Sequence, residues 1–181
     1  MRAPLPEELQ HIVLDENAIQ MRVRELGTRI AHDYAGLDVR LVTVLKGGLF
    51  FLADLCRAID LPLTIDFLAV SPYEPGVGGA VRVTKDLSDD IEGAHVLLVE
   101  DVVDTGLTVN YVYRLLKARG AASVEICTLL DKPARRIAPV PLAYCGFEMP
   151  DRFLVGYGLD LNGRYRNLSS IVALHDEMVL P

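Results

Sequence analysis

HVLLVEDVVDTGLT, residues 95–108, decides how this chain reads. His95 to Val99 is an uncharged run suited to a strand covered on both faces, at the centre of a mostly parallel sheet. Its carboxyl end carries Glu100 and Asp101, where open α/β sheets bind their ligands. Asp104 follows, and Thr105-Gly106-Leu107-Thr108 then turns into an amphipathic helix from about Val109 to Arg119. Gly106 permits positive φ or close backbone approach, and Thr108 suits an N-cap. Successive N–H groups at a helix start, with two threonine hydroxyls beside them, can surround a phosphate. Three carboxylates at such a site would repel it unless a cation intervened. Mg2+ fits, because it is habitually shared between one or two carboxylates and substrate phosphates. One such acid alone would read as loop solvation; two acids ending an apolar strand, a third soon after, and TGLT opening a helix do not. No GxxxxGK[ST] occurs, so this is not a Walker A loop.

Outward from this segment, apolar strands alternate with amphipathic helices, which predicts an α/β fold with helices flanking a twisted sheet. Ile19, Val23, Leu26, Ile30 and Tyr34 fall at helical steps within 15–34, and Gly36 ends the run. RLVTVL (40–45) reads as a strand and is followed by Lys46-Gly47-Gly48, then by a helix over 49–59. That apolar helix is suited either to the core or to a subunit contact. TIDFLAV (64–70) is a further strand, SPYEPGVGG (71–79) a loop, and 81–84 a strand returning from it. Strands are also expected at 123–130, 142–147, 152–157 and 171–174. The last third reads as a small hood beside the sheet.

Composition narrows the function classes. The 181 residues are 51% hydrophobic, enough for a well-filled core without metal or disulfide staples. No apolar run approaches the roughly 20 residues of a membrane span, and Met1-Arg2-Ala3-Pro4 has no signal-peptide core. Cys56, Cys127 and Cys145 lack CxxC spacing and read as buried free thiols in a reducing, cytoplasmic setting. None of the four histidines pairs with another at metal-ligand spacing. A net charge of −7 argues against a dedicated nucleic-acid binder, which would present a basic face.

The acidic loop resembles the phosphoribosyl-pyrophosphate (PRPP) loop of the purine phosphoribosyltransferases, and EDVVDTG points to the hypoxanthine-guanine branch. The likeness runs from about Ile12 to Leu174, with further motifs in order: Lys46-Gly47 resembles the diphosphate loop, residues 71–79 a mobile lid, and GFEMPDRFLVGYGLDLNGRYRNL (146–168) the base-binding segment. It implies one phosphoribosyltransferase domain over 1–181, its hood built from the N-terminal segment and part of 133–181. It further implies a magnesium-dependent glycosyltransferase of purine salvage. Such an enzyme moves the 5-phosphoribosyl group of PRPP to N9 of hypoxanthine or guanine, giving IMP or GMP and pyrophosphate. The family forms homodimers or homotetramers.

By the same resemblance, Glu100 and Asp101 hold the ribose hydroxyls and, with Asp160, the metal shell. Asp104 lies near purine N7 as general base or acid, and Thr105, Gly106, Leu107 and Thr108 bind the 5-phosphate. Lys46, Gly47 and Arg166 meet the pyrophosphate, and the lid contributes Ser71 and Tyr73. Phe153 stacks on the purine while Leu154 offers backbone groups to its edge. The diphosphate loop commonly carries a non-proline cis peptide. Two departures stand out. The lid has Pro72-Tyr73 where the family has Ser-Tyr. The position five before the glycine of GFE, expected to hold the lysine that donates to the 6-oxo group, is Pro141. No replacement is evident in the sequence; Lys132 is a candidate only if the chain folds back. This departure keeps open transfer to xanthine or another base, and the same fold also serves non-catalytic PRPP- or nucleotide-sensing regulators.

Overall fold

The computed structural model describes residues 9–71 and 82–175. Along them run β1 (Leu9–Leu14), α1 (Glu16–Asp33), β2 (Val39–Val44), α2 (Leu49–Ala58), β3 (Leu63–Val70), β4 (Val83–Lys85) and β5 (His95–Val103). There follow α3 (Leu107–Ala118), β6 (Ser123–Asp131), a 3-10 turn (Pro133–Arg135), β7 (Leu142–Glu148), β8 (Leu154–Val155) and β9 (Ile171–Leu174). The main sheet has the order β4-β3-β2-β5-β6-β7. Its strands are parallel except β4, which runs antiparallel at one edge. The chain winds from β2 to β3 in one direction and from β5 through β6 to β7 in the other. Winding therefore reverses between β2 and β5, and the crevice beyond their carboxyl ends is the place for a ligand.

The uncharged middle of β5 is covered on both faces, as its sequence predicts. Leu97 and Val99 pack with Ile19, Val23, Leu26 and Ile30 of α1 and with Phe51, Leu52 and Leu55 of α2. Val96 and Leu98 lie in the second cluster, with Val109, Val112 and Leu116 of α3. Each such side chain contributes about 1.5–3 kcal/mol on burial, so the strand that carries the acids is among the most firmly seated parts of the fold. Asp15 caps α1, accepting the Ala18 N–H at 2.8 Å. One face of α2 is core, whereas Leu49 and Phe50 in its first turn are exposed.

A second sheet, ordered β1-β9-β8 and antiparallel throughout, forms the hood. Leu9, Val155, Val172 and Leu174 make its own small core. Two expectations change here. The segment 142–147 joins the main sheet as β7, in parallel register with β6. Only Leu154 and Val155 of 152–157 form strand, because Gly156 and Tyr157 turn into positive φ (98° and 48°). Cys127 is buried, Cys56 half-buried and Cys145 exposed, all three free, so the expectation of three buried thiols holds only for Cys127.

Candidate active site

The carboxyl end of β5 delivers two adjacent carboxylates with few partners. Glu100 is only 6% exposed and its Oε1 has no hydrogen-bond partner. Burial, reinforced by the charge of Asp101, pushes its carboxyl well above the ordinary value. Burial also raises Asp101, to about 6, with Asp160 adding to the effect and the Val102 N–H and Arg166 opposing it. An ionised pair held this way lacks a compensating cation. Among the described residues no three His, Cys, Asp or Glu side chains form a metal cage. Glu100, Asp101 and Asp160 are thus not gathered into one protein-only site. That suits an ion that keeps water and substrate oxygens as its other ligands.

Beyond β5 the backbone forms the expected cradle, with its start shifted. Helix α3 begins at Leu107, and the N-cap is Gly106 at φ 79°, not Thr108. A β-carbon at Gly106 would stand 2.6 Å from the Ala138 carbonyl oxygen and 2.9 Å from Arg136 Cδ. Thr105 Oγ1 accepts from the Leu107 N–H at 3.4 Å. The N–H groups of a first helical turn have no intrahelical acceptor and are suited to receive an anion. Segment 133–138 laces this loop in place: Ile137 and Ala138 donate to the Thr105 carbonyl at 2.8 and 3.0 Å. Arg136 donates to the carbonyls of Asp104 (3.2 Å) and Val103 (3.3 Å) and pairs with Asp131.

The turn after β2 closes the other side. The Leu45–Lys46 peptide is cis, as the resemblance implies. Lys46 is exposed, and a β-carbon on Gly47 would fall within 1.9 Å of Asp101 Oδ2. Gly158, at φ 101°, meets the Gly47 carbonyl so closely that its own β-carbon would lie 2.2 Å from that oxygen. The turn bearing Gly158 also carries Asp160, which pairs with Arg166 at 2.5 Å and accepts the Gly163 N–H at 2.7 Å. Arg166 additionally donates to the Gly158 carbonyl at 2.5 Å. Tyr157 Oη donates to Asp54 Oδ2 at 2.6 Å, pinning this turn to α2.

Between these loops lies a cleft of about 180 Å³, lined by Asp101, Asp104, Lys132, Arg135, Phe153, Leu154, Asp160 and Arg166 among others. Phe153 is 38% exposed, its ring available to a planar ligand. Lys132 is buried, and its ammonium donates to the Arg152 carbonyl at 2.6 Å. Burial lowers its pKa, against the opposing charge of Asp104. The role expected of position 141 fails on geometry. Pro141 immediately precedes Leu142, which pairs with Ile126, five residues before Asp131. That separation is about 16 Å along the strand at 3.3 Å per residue. Lys132 needs no fold-back; it follows the carboxyl end of β6, and its N–H donates to the Val103 carbonyl at 3.0 Å.

Most sequence-expected residues therefore converge: Asp101, Asp104, Phe153, Leu154, Asp160 and Arg166 line one cleft, with Glu100, Gly47 and the Thr105–Thr108 turn around it. Ser71 does not line that cleft. It exchanges hydrogen bonds with the Arg82 main chain at the root of the loop. Pro72, Tyr73 and the loop glycines lie outside the described residues. Arg135 and Tyr157 were not anticipated.

A sequence model of the phosphoribosyl transferase domain matches residues 10–162. A Mycobacterium avium protein named hypoxanthine-guanine phosphoribosyltransferase is 47% identical over 177 residues, covering 93% of this chain and 87% of its own. A Haemophilus influenzae hypoxanthine phosphoribosyltransferase is 46% identical over 165 residues, covering 88% and 92%. The crystal structure of a Staphylococcus aureus hypoxanthine phosphoribosyltransferase superposes with a TM-score of 0.92 at 43% identity, covering 96% of each chain.

Proposed function

The chain belongs to the phosphoribosyl transferase family, and on that premise we propose that it is a hypoxanthine-guanine phosphoribosyltransferase of purine salvage. The carrying observation is the convergence of Asp104, Lys132, Phe153 and Arg166 on one cleft at the reversal point of the sheet. The purine lies on Phe153 with its edge toward the backbone of Leu154. Lys132, and not position 141, supplies the donor for the 6-oxo group. Such a donor serves the 6-oxo group of hypoxanthine, guanine and xanthine alike, so it does not distinguish among these bases. The first-turn N–H groups of α3 with Thr105 and Thr108 hold the 5-phosphate, while Lys46, the Gly47 backbone and Arg166 face the diphosphate.

Glu100 and Asp101 fit a magnesium ion that arrives with PRPP, since their buried, cation-poor carboxylates are raised until a positive charge joins them. When bound, the ion neutralises charge on the departing diphosphate. Asp160, already shared with Arg166, borders the same space.

In the reaction, purine N9 forms a bond to ribose C1 as the C1–O bond to diphosphate breaks, the electron pair leaving on oxygen. The transition state has oxocarbenium character, as in other substitutions at an anomeric carbon. Asp104 takes the N7 proton, which is worth about 10²–10⁴-fold. Homo-oligomer formation belongs to this proposal, with Leu49 and Phe50 as exposed apolar groups for a contact.

A panel of hypoxanthine, guanine and xanthine with magnesium and PRPP, read out as nucleotide and pyrophosphate, tests the assignment. The expected products are IMP and GMP. PRPP binding without turnover would mean a sensor and defeat the reading. Asp104→Asn is expected to lower kcat by about 10²-fold or more while PRPP still binds; unchanged turnover would remove Asp104 from its role.

A further inference from the structure

We propose that Arg135 is a positioning residue for the proton transfer, its guanidinium fixing the carboxylate of Asp104 at the base end of the cleft. The inference rests on the assignment of Asp104 as the proton acceptor. Arg135 lines the cleft and uses two nitrogens on two acids: Nη1 lies 3.0 Å from Asp104 Oδ2, and Nε lies 3.4 Å from Asp151 Oδ1. Asp104 Oδ1 is buried and has no partner. Oδ1 is turned away from solvent, and Arg135 holds Oδ2, on the open side of the carboxylate.

Stability does not account for this arrangement. Arg135 and Asp104 are 46% and 36% exposed, and pairs so open to water contribute little to folding. The surrounding contacts point to positioning. Arg136 holds the carbonyls of Val103 and Asp104, and Ile137 and Ala138 hold that of Thr105. With the main chain clamped, the side-chain torsions of Asp104 are the remaining freedom, and Arg135 fixes them. A guanidinium suits the task because its donors form a rigid planar fork, here anchored at Asp151.

Charge adds a second reason. Asp104 stands close along the loop to Glu100 and Asp101, in a cleft that must admit a polyanion. Pairing Oδ2 with a cation lowers that repulsion. During turnover the N7–H bond breaks, its electron pair staying on N7, and an O–H bond forms on the Asp104 carboxylate. Proton transfer requires a heavy-atom approach of about 2.6–3.2 Å, so a carboxylate free to rotate away loses rate, not substrate affinity.

A double-mutant cycle separates this role from general damage. Arg135→Ala is expected to lower kcat by roughly 10-fold while the KM for PRPP stays within about twofold and the urea midpoint stays near wild type. In an Asp104→Asn background the same change is expected to alter kcat by less than about twofold, because the group it positions is gone. Arg135→Lys recovers only part of the loss, since one ammonium cannot hold both carboxylates. Additive losses in the cycle, or an Arg135→Ala enzyme at least as fast as wild type, overturn the inference. An Asp104→Asn enzyme at wild-type speed overturns the assignment beneath it. A slow Asp104→Asn beside a normal Arg135→Ala overturns the inference alone.

Discussion

Replacing Gly106 with alanine tests the link between backbone geometry and phosphate binding most directly. The residue sits at φ 79°, and a side chain there costs about 1–2 kcal/mol from left-handed sterics alone. Its β-carbon would also stand 2.6 Å from the Ala138 carbonyl oxygen and 2.9 Å from Val140 Cγ2. The oxygen is main chain, so relief requires a backbone shift, which overpacking data place at about 1–3 kcal/mol. The sum is about 2–5 kcal/mol; near 3 it means on the order of 100-fold in the folding equilibrium. A domain with about 5–15 kcal/mol of stability remains folded and measurable. Urea unfolding should show a lower midpoint at unchanged slope. The KM for PRPP should rise, because Ala138 moves with the loop whose Thr105 carbonyl it holds. Gly106→Asn separates the two causes, since asparagine tolerates positive φ yet carries the same β-carbon. Equal losses for Ala and Asn assign the effect to contact, and a milder Asn assigns it to φ. A loss under about 1 kcal/mol with unchanged KM would refute the reasoning, because the angle and the approach each demand more.

Two further outcomes follow from the same geometry. Lys132→Met removes a charged donor worth about 1.5–3 kcal/mol. Steady-state kinetics should therefore show kcat/KM for hypoxanthine falling roughly 10- to 100-fold, with the KM for PRPP unmoved; an unchanged purine efficiency sinks the assignment of the 6-oxo contact. Asp66 is buried on β3, facing Lys85 and the main chain of Ser88 and Asp89. Burial pushes its carboxyl up, but the N–H groups of Phe67, Ser88 and Asp89, with Lys85 at 3.8 Å, bring it below the ordinary value overall. A folded pKa below the unfolded one gives stability above about pH 4 that disappears as pH falls through the folded value. Asp66→Asn should cost about 1–3 kcal/mol at pH 7, with the gap closing in acid; equal gaps in urea unfolding at both ends of that range would show that charge is not the cause.

The parts legible in sequence were those whose signal is local. HVLLV could only be a covered strand, EDVVDTG could only follow it at the carboxyl edge, and the glycine at 106 marked the turn. Thr108 matches the cap pattern in sequence, but Gly106 at positive φ satisfies the geometry two residues earlier. Pairings between distant segments carried no such mark. β1 meets β9 and β7 joins β6 through contacts that no periodicity announces. Lys132 illustrates the difference. Counting back from Gly146 led to Pro141, yet register provides the better ruler, because Val103 pairs with Asp131 and the next residue emerges beside the acids. A lysine one step past a strand that neighbours β5 was the available signal. Arg135 had none, since a 3-10 turn fixes where its side chain goes.

The approach of Gly158 to the Gly47 carbonyl gives the two halves of the cleft a common wall. In the proposed complex the diphosphate lies on one side of that wall; the other side continues into the turn that Tyr157 ties to α2 and that follows Phe153. A shift in either occupant is felt as a push on its neighbour, with no empty layer to absorb it. With the nucleobase and the leaving group in those proposed places, each is expected to change the affinity for the other.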